Sequence, residues 1–330
     1  MTRLTIGKDG FTVDADTVAT GRTCIIGASG SGKSYTVGVL CEELCKANVP
    51  FALIDTEGEY SSLKQKFDLV WVADEEQADH RWGSFSVKDL ADQAPTAAPL
   101  ILDVSELTNN GRAVIGEFLT ELYKVIDSRR TPYLIIVEEA DKFIPQNGDS
   151  MPIFSEIARR GRKRGLGLIL CTQRPSLVEK DVLSQCGNQF IGRLEIRNDL
   201  AAVAQFFPGD TPRQLTTMEP GEFYIMGDIS PEPQRVRVRE RETPPGGASP
   251  LLGDREIQPL NLATTMQPHR ADLTITLVDG AKPGQFDDLV KTLEGKASHG
   301  LNPTLIKNLH ISPSASVEVR YKDQAKVVQA

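Results

Sequence analysis

Gly27-Ala28-Ser29-Gly30-Ser31-Gly32-Lys33-Ser34 sets two glycines, a lysine and a hydroxyl side chain at the spacing G-x-x-x-x-G-K-[ST]. That combination does one kind of chemistry well. The glycines let successive backbone N–H groups turn inward onto phosphate oxygens, Lys33 reaches the β- and γ-phosphates, and the Ser34 hydroxyl ligates Mg²⁺. A helix opening at Lys33 adds the partial positive charge of its N-terminus, with Tyr35 next along its first turn. The loop is therefore read as the grip on a nucleoside triphosphate, with residues 27–35 as its binding set. A dinucleotide fingerprint is excluded, because Tyr35 stands where that pattern wants its third glycine.

Hydrolysis needs a carboxylate for the magnesium shell and a base for water. Tyr133-Leu-Ile-Ile-Val137 is an apolar run ending in Glu138-Glu139, so Glu138 is assigned to the metal and Glu139 to the attacking water. Leu100-Ile-Leu-Asp103 ends in one carboxylate followed by Val104, and Asp103 is read as a supporting or helix-capping residue. A third buried run, Leu166 to Cys171, leads into Thr172-Gln173-Arg174-Pro175. Gln173 there either contacts the γ-phosphate or the lytic water, or is a turn residue at a strand end. Just upstream, Arg159-Arg160-Gly161-Arg162-Lys163-Arg164 holds five basic residues in six. Because it precedes the strand whose far end carries Gln173, it lies on the order of 20 Å from its own nucleotide. Taken alone the cluster reads as a solvated face or a nucleic-acid phosphate patch. Its place means that an arginine there cannot reach its own phosphate but could reach a neighbour's if subunits pack head to tail, the contact that closes into a ring.

These residues require strands that end at one edge. Thr23 to Ile26, Phe51 to Ile54, Leu69 to Val72, Leu100 to Val104, Tyr133 to Val137 and Leu166 to Cys171 are short apolar runs that read as buried strands. Between them, Val37, Leu40, Cys41 and Leu44 form one helical stripe, and Val114, Ile115, Phe118, Leu119, Leu122 and Ile126 another. Strands alternating with helices predict an α/β fold on a parallel sheet. Residues 1–22 offer at most a hairpin around Lys8-Asp9-Gly10, and Phe223 to Met226 with Val236 to Val238 finish the domain. The predicted organisation is a motor domain over 1–242, a Pro/Gly-rich linker or strap over 243–270, and a small αβ appendage over 271–330. In the appendage, Leu273 to Leu277 and Val317 to Tyr321 alternate as strands, and Phe286, Leu289, Val290 and Leu293 have helical spacing.

The 330 residues carry a net charge of −8, which does not advertise a nucleic-acid-binding surface and leaves only a local basic lining possible. Five cysteines without C-x-x-C spacing read as small core residues in a reducing compartment, and no membrane span or secretion signal is evident. A cytoplasmic location is expected. None of the asparagines precedes lysine, so the guanine-reading Asn-Lys-x-Asp motif is absent and ATP is the expected nucleotide.

The motifs GASGSGKS, Leu53 to Tyr60 (LIDTEGEY), Val137 to Asp141 (VEEAD), Arg159 to Ser176 and Met218 to Gly227 (MEPGEFYIMG) occur in the order found in the HerA/FtsK superfamily of ring-forming DNA-pumping ATPases, and the chain most resembles the HerA branch. The resemblance spans roughly residues 20–240. It implies a RecA-like P-loop core with an additional strand, Mg²⁺ and ATP as cofactors, Glu138 and Glu139 as the acidic pair, Gln173 as sensor and Arg162 as arginine finger, with Arg160 and Arg164 as fallbacks. It also implies a hexameric homo-oligomer that translocates DNA through backbone contacts. Asp55 is an acidic position near the site under this resemblance, or an Asx-type turn residue on its own reading. Asp141 departs from the histidine common after Glu-Glu-Ala. Relatives of this type engage a nuclease through an N-terminal β-barrel, which 22 residues cannot form, so that partner is not carried over and another effector protein stays open. The alternatives are a viral or plasmid DNA packaging or conjugation pump, and an ATP-dependent protein-binding switch.

Overall fold

Runs that are apolar at every position must be covered on both faces, and this dictates the centre of the structure. The computed structural model describes residues 2–107, 110–210 and 213–246, together with three strands beyond residue 270. A hairpin of β1 (Arg3–Thr5) and β2 (Thr12–Asp14) leads into α1 (Ala15–Thr20), whose N-terminus is capped by the Asp14 carboxylate accepting the Thr17 N–H at 3.0 Å. Then follow β3 (Arg22–Ile26), α2 (Lys33–Lys46), β4 (Phe51–Asp55), β5 (Val70–Ala73), β6 (His80–Arg81), α3 (Val87–Gln93), β7 (Leu100–Asp103) and α4 (Gly111–Arg129). The unit is completed by β8 (Tyr133–Val137), α5 (Pro152–Arg160), β9 (Leu166–Thr172), α6 (Lys180–Leu183), β10 (Asn188–Ile191), α7 (Arg197–Val203), β11 (Glu222–Gly227) and β12 (Ser230–Arg237).

The strands form one ten-stranded sheet in the order β12-β11-β10-β3-β9-β8-β4-β7-β5-β6. All pairs from β10 to β6 are parallel, and β11 and β12 add an antiparallel edge. The strand period of two divides each run between two cores. Ile26, Ile54, Leu102, Ile135 and Leu168 face α4 and α5, where Ile115, Phe118, Leu122 and Phe154 pack. Ile25, Leu53, Ile101, Ile136 and Ile169 face α2, through Val37, Leu40, Cys41 and Leu44. The parallel α/β sheet expected from the sequence is present. β9 lies between the phosphate-loop strand β3 and the carboxylate strand β8. This additional strand brings Gln173 between the loop and Glu138-Glu139, because parallel strands all end at one edge.

β10 escaped the reading of apolar runs because Asn188 and Gln189 open it. Both are buried, and Asn188 is satisfied sideways, donating to Thr23 Oγ1 at 3.4 Å and accepting from the Ile229 N–H at 3.2 Å. The chain divides into compact units Met1–Pro250 and Leu251–Ala330. In the second, β13 (Leu273–Thr276) pairs parallel with β14 (Ser316–Tyr321), which pairs antiparallel with β15 (Gln324–Gln329). The helical spacing read over 286–293, and residues 247–270 of the expected linker, lie outside the described residues.

Candidate nucleotide site

The turn between β3 and α2 must fold tightly enough to aim its amides at one point, and its glycines show where. Gly30 and Gly32 have φ of +70° and +92°. A Cβ at Gly32 would also sit 2.8 Å from the backbone nitrogen of Gly221, and that same N–H donates to the Ser31 carbonyl at 2.9 Å. The segment Met218–Gly227 thus packs its own glycine against the loop. Gly27, Ala28 and Ser31 hold the loop's shape: a Cβ on Gly27 would meet Ser31 Oγ at 2.5 Å, and the Ala28 N–H donates to the Arg193 carbonyl at 2.7 Å. Lys33 is buried, its Nζ 3.3 Å from the Ala28 carbonyl, and burial lowers its pKa against the opposing pull of Glu139 and Glu138.

Ser29, Gly30, Gly32, Lys33, Ser34 and Tyr35 line a cavity of ≈ 650 Å³. Glu138, Glu139 and Gln173 line its other side, brought there by the ends of β8 and β9. Gln173 Nε2 donates to Glu139 Oε1 at 2.5 Å. Glu139 itself adopts φ 48°, ψ 55°, a left-handed conformation that costs a non-glycine residue roughly 1–2 kcal/mol. Strain of this kind persists where the surroundings fix a side chain's direction, here into the cavity. Asp141, the departure from histidine, accepts the Thr172 hydroxyl at 2.9 Å and ties the loop after β8 to β9.

Glu138 is buried and accepts a hydrogen bond from the Tyr60 hydroxyl. Burial, then the charges of Asp55 and Glu139, raise its pKa to about 7. Tyr60 ends the LIDTEGEY motif, and its contact with a residue 78 positions away left no local signal in the sequence. Asp55 fulfils both of its readings, since it lines the cavity and also builds the loop. Its Oδ1 accepts the N–H groups of Glu57 and Gly58 at 3.1 and 2.9 Å, and its Oδ2 that of Tyr60 at 3.1 Å. Burial and then Asp103, its register partner on β7, raise its pKa to about 7. Asp103 is structural, accepting from Ser105 N and Oγ at 3.0 and 2.7 Å and from Trp71 Nε1 at 3.4 Å. The Ser34 hydroxyl and the carboxyl groups of Glu138 and Asp55 line one cavity and are oxygen donors of the kind a hard divalent cation takes.

Arg162 is not in this cavity. It lies in the turn Gly161–Arg164 before β9, at the opposite sheet edge, with a side chain 65% exposed and a 4.0 Å approach to Asp228. Its neighbours are more firmly engaged: Arg159 with Asp181 at 3.2 Å, Arg160 with Glu156 at 3.1 Å, and Arg164 with Asp127 at 2.7 Å and with the Tyr123 ring at 5.1 Å. The cavity also takes in residues not singled out beforehand, namely Glu57, Glu59, Tyr60 and Lys142 from loops beside the carboxylates, and Arg241, Pro245 and Gly246 from the chain after β12. No helix among the described residues is long and apolar enough to cross a membrane.

Residues 6–158 match the family model of the central domain of helicase HerA. The DNA double-strand break repair helicase HerA of Pyrococcus furiosus is 33% identical over 138 residues, 40% of this chain and 25% of that protein. The match thus spans about a quarter of that relative's length. Among solved structures, the genome packaging NTPase B204 of Sulfolobus turreted icosahedral virus 2, in complex with ATP-gammaS, superposes with a TM-score of 0.51 at 18% identity, over 66% of this chain and 97% of that one. The bacterial conjugative coupling protein TrwBdeltaN70 gives 0.59 at 10% identity, over 74% and 90%. At these identities the likeness is one of fold, a RecA-like core. The phosphate loop, the strand order and the sequence matches agree: residues 6–158 are similar to the central domain of helicase HerA, and the fold is that of a RecA-like P-loop NTPase.

Proposed function

We propose that this chain is a Mg²⁺-dependent ATPase of HerA type that assembles head to tail into a hexameric ring and drives DNA through it, hydrolysing ATP where subunits meet. The observation that carries the reading is how the cavity is equipped. It holds a lysine grip, a strained glutamate aimed inward and a glutamine bonded to it, yet its one arginine among the described residues is Arg241, packed into the fold beside Glu42 and Thr243. Charge developing on a transferred phosphoryl group calls for a further cation. Arg162, the most loosely paired arginine of its cluster, supplies it from the next subunit.

In this mechanism Lys33 and the loop amides hold the β- and γ-phosphates, Glu139 takes the proton of the attacking water, and Gln173 orients that water or the γ-phosphate. Ser34 and Glu138 would hold Mg²⁺, which when bound would supply neutralisation of phosphate charge. Translocation is supported by the helicase relatives, and the contacts to DNA are to its backbone, since a motor steps along every sequence. The test is the ATPase rate with double-stranded and single-stranded DNA over a salt series. DNA should stimulate hydrolysis at low salt, lose that effect steeply as salt rises, and show no base preference. Indifference to every DNA form, with an ATP-dependent association with a protein instead, would replace the translocase by a switch.

A further inference from the structure

The helix that starts at the phosphate loop carries a second stripe besides its apolar one. Tyr35, Gly38, Glu42 and Lys46 follow each other at spacings of three and four, so they share one face of α2. That face is covered by the chain that leaves β12. Glu42 is fully buried, and its Oε1 accepts the N–H groups of Glu242 and Thr243 at 2.8 and 2.9 Å and the Thr243 hydroxyl at 2.8 Å. The Arg241 N–H donates to the Tyr35 hydroxyl at 2.7 Å. The Arg241 guanidinium lies flat over Gly38, where an added Cβ would come within 2.5 Å of its Cζ. Its Nε makes no hydrogen bond, the nearest carboxylate being Glu42 at 3.9 Å. Lys46 and Lys66 both pair with Glu242.

The same segment then crosses to the acidic loop. Ser62 Oγ donates to the Pro244 carbonyl at 2.7 Å, and Gly246 comes so near the Glu59 backbone that a Cβ would lie 2.1 Å from its carbonyl oxygen. Residues 241–246 are therefore seated on two sides and form one wall of the nucleotide cavity through Arg241, Pro245 and Gly246. Lys33, Glu139 and Gln173, the groups that handle the γ-phosphate and water, line the same cavity. Tyr35, two residues after Lys33, is joined to the strap by the Arg241 N–H, so a nucleotide whose terminal phosphate lies at Lys33 has the strap wall available for its ribose and base.

We propose that Tyr35 and the strap residues Pro245 and Gly246 form the nucleoside subsite: they hold the base and ribose, the Pro245 ring packing against the base, with the buried Arg241 anchoring the strap to α2, while the loop holds the phosphates. This rests on the phosphate-loop reading and extends it to the other half of the ligand. A ring packs on heteroaromatic faces with little dependence on edge pattern, so the subsite adds affinity for a nucleoside in general rather than strict choice of one base.

Two ligands separate the halves. MgATP and magnesium tripolyphosphate share the phosphates and differ in the nucleoside. Calorimetric titration of wild type should show ATP binding tighter by tenfold or more. Arg241→Ala and Pro245→Gly should each cut that advantage by about 5-fold, leaving tripolyphosphate affinity unchanged, whereas Lys33→Ala should weaken both ligands. Because Arg241→Ala removes a packed side chain, circular dichroism must confirm folding, and hydrogen exchange on the wild-type protein gives an independent readout. The amides of 241–246 should gain protection with ATP and not with tripolyphosphate. Equal protection by both ligands, or an undiminished ATP advantage in folded variants, overturns the proposal. If Lys33→Ala weakens neither ligand, the phosphate-loop reading fails and takes the subsite with it.

Discussion

In the proposed mechanism Glu139 links catalysis to backbone strain, and two substitutions separate them. Glu139→Gln keeps the side-chain length, the left-handed backbone and an oxygen that can accept from Gln173, 2.5 Å away in the native protein. It removes only the basic carboxylate. Loss of a positioned general base slows turnover by about 10² to 10⁴, so the variant should bind MgATP with native affinity and hydrolyse it at that reduced rate. Glu139→Gly removes the base and also relieves φ 48°, ψ 55°. Relief returns about 1–2 kcal/mol, and the extra freedom of glycine in the unfolded chain withdraws about 0.5–1. The net is roughly 0 to +1.5 kcal/mol, equivalent to up to about 5 °C in melting temperature for a unit of this size. Inactivity should therefore come with unchanged or raised stability. Steady-state ATPase assays, nucleotide titrations and thermal melts on both variants measure each part. Wild-type turnover in Glu139→Gln would falsify the base assignment, and a drop of several degrees in Glu139→Gly would show that the left-handed backbone stores no strain.

Mixing subunits tests the trans arginine: Arg162→Ala and Glu139→Gln proteins, each inactive alone, should regain part of the ATPase rate when co-assembled, since a trans finger is worth about 10³ or more in rate; no recovery counts against it. The pH dependence follows from Glu138 and Asp55, both raised to about 7 chiefly by burial. Raised carboxylates favour the folded state while protonated, so metal-free stability is greatest below their unfolded values near pH 4 and falls as pH rises through 7, by up to about 1.4 kcal/mol per pH unit for each proton released. In the proposed mechanism magnesium needs the ionised form of Glu138, so the stabilisation given by MgATP should grow over the same window, about pH 4 to 7. Glu242, held at about 2 by its hydrogen bonds to Lys46 and Lys66, stays ionised in the folded protein throughout and adds an opposite slope only below about pH 5, where the unfolded chain gains its proton. Melting curves with and without MgATP at each pH check both directions, and parallel pH profiles would refute the assignment.

What the sequence by itself determined is whatever depends on contiguous residues. A phosphate loop is eight adjacent positions whose glycines and lysine do their work locally. Glu138-Glu139 and Gln173 are legible because each ends an apolar run, and parallel strands ending at one edge bring such positions together. The apolar stripe of α2 is legible because burial against a sheet imposes the helical period. Tertiary structure decided the contacts between distant segments. That β9 inserts beside β3, that the half-polar Asn188–Ile191 is a central strand, that Gly221 packs on Gly32 and that the Tyr60 hydroxyl meets Glu138 depend on partners 33 to 189 residues apart, and such pairs impose no period on either segment. The polar stripe of α2 is the sharpest case. Tyr35, Gly38, Glu42 and Lys46 have the composition of a solvated helix face, and Glu42 is fully buried only because the chain after β12 folds back over it, giving its Oε1 three hydrogen bonds from Glu242 and Thr243 and its Oε2 the Arg239 guanidinium at 2.9 Å. A charged side chain at helical spacing reads as surface until another part of the chain supplies the donors that water would otherwise provide.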